Sequence, residues 1–166
     1  MAIFIGVLLL GILVILQSTL ISRLTLLHGA ADLVMLVVIA WALQKRVTTA
    51  WHWSIIAGLM VGFASALPFG VTLFGYGLST GLALLLRQRV WQVPVSAMFV
   101  ITFLGTFICQ GISYLALPLV GYSLPPGEVF SLVMVPSMVL NLLFAIPVFA
   151  FIGDLARMLH PAELLV

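Results

Sequence analysis

Long apolar stretches run almost uninterrupted through this chain, and its few polar residues collect between them. Ala2 to Leu16 carries no charge, and Gln17-Ser18-Thr19 comes before Arg23, so the pattern predicts a transmembrane helix over about 2–22. It lacks a positively charged start and a small-residue cleavage site, so a retained helix is expected rather than a signal peptide. A second helix over about 30–44 is bounded by Asp32 and by Lys45-Arg46, with Gly29-Ala30-Ala31 as its approach. At about 1.5 Å per residue its apolar part covers only about two-thirds of a hydrocarbon core. Such a helix must thin the bilayer or be sheltered by its neighbours.

The polar connection KRVTTAWHW, Lys45 to Trp53, places Trp51 and Trp53 where headgroups favour amphipathic rings. Helices over 53–67 and 69–86 follow, and Arg87-Gln88-Arg89 with Trp91 forms a second basic, aromatic boundary. A fifth apolar run covers 94–117, and the turn-rich linker PLVGYSLPPG runs from Pro118 to Gly127. The last run, 129–159, is too long for one straight crossing. Pro136 is expected in a first helical turn after an interfacial approach, and Pro147 is expected to kink the helix.

Small residues mark the middle of the chain. Gly58, Gly62 and Ala66 recur every fourth residue, and Gly77 and Gly81 repeat that spacing beyond a break at Leu67-Pro68-Phe69-Gly70. In lipid such a stripe lets helix backbones approach closely. Pro68 donates no backbone hydrogen bond and Gly70 tolerates positive φ, so a tight helical hairpin is expected here.

Composition fixes the class. Hydrophobic residues make up 64% and charged residues 6%, too little polar surface to cover a soluble domain of this size. Mean hydropathy is +1.38. The expectation is an all-α polytopic membrane bundle of six transmembrane helices forming one domain, 1–166. A net charge of +2, scattered along the chain, excludes a nucleic-acid surface. The basic residues also set orientation. Lys45, Arg46, Arg87, Arg89 and Arg157 fall on the side of the termini and Arg23 alone on the other, which predicts cytoplasmic termini.

Candidate chemistry is sparse. The acids Asp32, Glu128, Asp154 and Glu163 are read as interfacial or helix-end charges, with Asp154 and Arg157 three apart on one helix face. His28, His52 and His160 fall in different connections, and Cys109 is single, so no metal site is expected. No serine or threonine has a histidine partner at depth, so no catalytic residue and no enzyme is expected, and no cofactor. Asn141, at membrane depth, has two open readings: an internal interhelical hydrogen bond, or a contact to a ligand or another chain.

The order of these features resembles MreD, the multipass family of the bacterial rod-shape system. The resemblance rests on Asp32-Leu33 opening a short second helix, LPFG at Leu67 to Gly70, Tyr76 and Gly81 after it, and VPSMVLNLLFAIPVF from Val135 to Phe149. It covers almost the whole chain. Members often carry Pro where this chain has Ala31, and an acid near Gly62 that is missing here. The resemblance implies a scaffold of the bacterial cytoplasmic (inner) membrane. Its direct partner would be a bitopic MreC-like protein, and its indirect partners the MreB filament, RodA and penicillin-binding synthases of peptidoglycan. It also implies a six-helix fold similar to the substrate-binding subunits of energy-coupling transporters. The alternative function is therefore a vitamin-like small-molecule binding subunit of a membrane transporter. The residues expected to pack helices or meet a partner are Gly58, Gly62, Ala66, Pro68, Gly70, Gly77, Gly81 and Asn141.

Overall fold

The computed structural model describes residues 2–19, 26–45, 47–89 and 94–159. Arg23, Arg46, Trp91 and His160, the end of the first predicted helix and Glu163 lie outside them. Within the described residues the chain is all-helical. Its helices are α1 (Ala2–Thr19), α2 (Leu33–Leu43), α3 (Ala50–Ala64), α4 (Gly70–Arg89), α5 (Pro94–Ala116) and α6 (Pro126–Leu159). Of these, α4, α5 and α6 are long and apolar enough to cross a membrane, while α1, α2 and α3 are shorter apolar helices.

The bundle is built around α2. Every residue from Val34 to Leu43 is buried, and α1, α3, α4, α5 and α6 all pack on it. Its sequence, LVMLVVIAWAL, has no polar face because it meets no solvent on any side. Shelter by neighbours is how the chain accommodates so short an element. The periphery is apolar in turn, with Phe4, Phe63, Leu115 and Leu143 exposed, as suits helices whose surroundings are hydrocarbon.

Several boundaries differ from the sequence pattern. Helix α2 opens at Leu33 rather than near residue 30, because residues 30–32 are non-helical and hydrogen-bond to α6. Trp53 is not a headgroup residue: it is fully buried and stacked on Trp41 at 4.1 Å, while Trp51 is half exposed. Ser65 to Leu67 leaves the helix because the residue before Pro68 is pushed away from α geometry. Pro136 does sit in an α-helical first turn, but what precedes it is helical as well: a turn at Pro126–Val129 and a π-helical stretch at Phe130–Met134. Pro147 lies inside α6.

At the other end of α2, the final carbonyls have no intrahelical partner. The Arg87 guanidinium meets one of them and the chain just beyond, its Nη1 donating within 3.2 Å to the carbonyls of Ala42, Gln44 and Val47. Arg87 is thus a tether between α4 and the α2–α3 connection. Asp154 and Arg157 form an exposed ion pair one turn apart on α6, of a kind worth about 0–1 kcal/mol.

Candidate functional site

The segment before α2 is non-helical backbone within a helical bundle, so the amides that its own turn does not pair need partners from other elements. A tight turn bridged between Leu26 and Gly29 begins it, with Leu27 at φ 57. His28 N–H then donates to the Leu132 carbonyl at 3.1 Å. In a regular helix residue 136 would serve that carbonyl, but Pro136 has no N–H to give. Two residues on, Ala30 N–H donates to Ser137 Oγ at 3.1 Å, and after two more Asp32 N–H donates to Asn141 Oδ1 at 2.7 Å. The match is metrical. Two residues of extended chain advance about 6.6 Å and four residues of helix about 6 Å, so alternate amides meet successive turns. Gly29 permits the contact: a Cβ there would lie 2.5 Å from Ser137 N and 2.7 Å from the Val133 carbonyl.

Asp32 closes the segment and starts the helix. Its Oδ1 accepts from Met35 N–H at 3.0 Å, an N-cap, and from Gln17 Nε2 at 3.4 Å. The Tyr76 hydroxyl of α4 donates to both carboxyl oxygens at 2.8 Å. Gln17 Oε1 in turn accepts from Val34 N–H at 3.2 Å. Asn141 Nδ2 donates to Thr106 Oγ1 at 2.9 Å, whose own hydroxyl donates to the Thr102 carbonyl. One polar network therefore joins α1, α2, α4, α5 and α6. Both ends of the Asn141 amide are occupied within the chain, and the side chain is buried. The Asp32–Tyr76 pair was missed by sequence reasoning. The available signal was an acid placed directly before an apolar run, which marks an N-cap, together with one phenol amid apolar residues of α4.

A cavity of about 170 Å³ lies beside this pair, lined by Asp32, Tyr76, Thr72, Cys109, Gln110 and Ser113 among others. It adjoins a second space of about 350 Å³, with which it shares Ser65, Leu67, Gln110 and Ser113. The second space is walled by α5, the start of α6 and the linker, through Leu117, Val120, Leu124 and Val133. Tyr114 donates its hydroxyl to the Leu124 carbonyl at 3.2 Å and so holds the linker over this wall.

The glycine hairpin divides into two sets. Gly58 and Gly62 are consumed inside the chain: a Cβ on Gly58 would lie 2.7 Å from Leu73 Cα, and one on Gly62 would lie 2.9 Å from Thr72 Oγ1. Gly70 and Gly77 face outward, with nothing within 4 Å of a Cβ on either. They floor a lateral groove of about 400 Å³ walled by Trp51, Leu73, Phe74 and Leu78. Gly81 meets the Trp51 ring at an ordinary 3.5 Å, and Ala66 and Pro68 are exposed at the turn.

The fold and these contacts define an all-helical chain with apolar helices fit to cross a membrane and a polar network at its centre. Comparison with protein-family models, with curated proteins and with solved structures finds no match.

Proposed function

We propose that this protein is an MreD-like scaffold of the bacterial inner membrane. In this reading all six helices span, both termini are cytoplasmic, and the bundle is of the kind found in energy-coupling transporter subunits. It is not an enzyme, and it acts laterally by holding the single transmembrane helix of an MreC-like bitopic protein. Through that protein it serves the MreB filament, RodA and the penicillin-binding synthases. The observation that carries this reading is the groove on α4. Gly70 and Gly77 stand two helical turns apart on one face and leave room for another backbone. The exposed linker side chains Leu119, Tyr122 and Leu124 extend an apolar surface beyond the helices.

Copurification with a coexpressed bitopic partner tests it. Gly77→Leu fills the groove and should lower recovery of the partner while leaving thermal stability in detergent unchanged. Gly62→Leu, packed against Thr72 and Phe69, should instead cost about 1–3 kcal/mol of stability. An apolar interface should survive high salt. Equal recovery of a partner whose helix is replaced by polyleucine would remove the specific interface.

Orientation is tested separately. Reporter fusions after Gln44 and after Leu159 should score cytoplasmic, and one within Gly121 to Gly127 external. A cytoplasmic signal from the linker would remove a crossing.

A further inference from the structure

The cavity beside Asp32 is not needed for lateral docking, and its chemistry is specific. Asp32 has no cationic partner among the described residues, and the Asp154–Arg157 ion pair lies far along α6. Its Oδ2 accepts from Tyr76 alone, leaving acceptor capacity toward the cavity that Asp32 lines. Ser113, which borders both spaces, has no hydrogen-bond partner among the described residues, and Gln110, which borders both as well, commits only its amide nitrogen, to Ser137. The walls of the larger space are mostly apolar, with Tyr114 and Tyr122 among its lining residues. The two spaces together fall within the roughly 300–1,000 Å³ usual for small-molecule sites.

An acid within a membrane bundle ordinarily pairs with a cation or faces a polar cavity. Here a compact inner space with an acid on its wall shares Ser65, Leu67, Gln110 and Ser113 with a larger apolar one. We propose that this cleft binds an amphiphilic amine, its ammonium head on Asp32 and its hydrocarbon body between Leu117, Leu124 and Val133. An ammonium is a compact charge with three donors, which suits the carboxyl group, the Ser113 hydroxyl and the Gln110 amide oxygen. The tyrosine rings near the mouth favour a cation on its way in. This proposal is independent of the docking groove on α4.

Octylamine is the probe. Added to the full-length chain in detergent, it should raise the thermal midpoint and appear as one adduct in native mass spectrometry. Octanol, of equal length and uncharged, should do neither. Asp32→Asn keeps an oxygen for Met35 N–H and should weaken octylamine binding by about tenfold or more. Ser113→Leu fills the boundary between the two spaces without changing Asp32 and should also abolish the adduct, with the ligand-free thermal midpoint unchanged; it decides the matter if Asp32→Asn fails to fold. Nanodiscs of phosphatidylethanolamine or phosphatidylglycerol separate the sources. A phosphatidylethanolamine adduct displaced by octylamine identifies a lipid headgroup, and octylamine binding without such an adduct identifies a soluble amine; either supports the site. Equal binding of octanol and octylamine, or undiminished binding by folded Asp32→Asn or Ser113→Leu, overturns it.

Discussion

Gly29→Ala should cost about 3 kcal/mol, a large share of the stability of a bundle this size. The added methyl group would meet Ser137 N, the Val133 carbonyl and the Pro136 ring, all within 2.8 Å. Two of these are backbone and the third a fixed ring, so none can swing aside as a flexible side chain would. The segment must lift from α6, and the hydrogen bonds of His28, Ala30 and Asp32 go with it. Gly127→Ala makes the same chemical change where nothing lies within 4 Å, and should be silent. Thermal denaturation of both variants in detergent checks this, and equal midpoints would mean the segment does not rest on α6.

Asp32→Ala should be nearly as damaging, at about 2–4 kcal/mol. Loss of an N-cap accounts for about 1 kcal/mol, and the Tyr76 hydroxyl, buried with its acceptor gone, adds about 1–3 kcal/mol. Tyr76→Phe alone should cost less, since Met35 and Gln17 still donate to the carboxyl group. The sign of the coupling is the sharper outcome. Asp32→Ala combined with Tyr76→Phe leaves no stranded hydroxyl, so the double variant should be more stable than the two losses added together. Strict additivity in a double-mutant cycle would show that the two groups do not interact.

Much of this arrangement was legible in the sequence. Long apolar runs bounded by charges or turn-rich segments place α4, α5 and α6, because in hydrocarbon the length of a run and where it is interrupted nearly determine a helix. The short second helix was legible as a problem, and burial of Val34 to Leu43 is the solution. What escaped was pairing at a distance. Trp53 has the composition of a headgroup residue, and only the position of Trp41 makes it a core ring. Asp32 looked like an interfacial charge because its acceptor role depends on Tyr76, 44 residues away, and on Gln17 from α1. The stripe of small residues did not reveal which glycines face inward, since Gly58 and Gly77 differ only in what the fold sets against them.

The segment ahead of α2 also imposes an order on biosynthesis. Its amides at Ala30 and Asp32 are matched by side chains 107 and 109 residues later, on α6. At roughly 5–20 residues per second, synthesis brings those side chains about 5 to 20 s after the amides themselves. Until then the nascent chain holds an apolar helix too short to span by itself, preceded by backbone whose donors have no lasting acceptor. The amides of Ala30 and Asp32 are thus made well before the side chains that fix them in place.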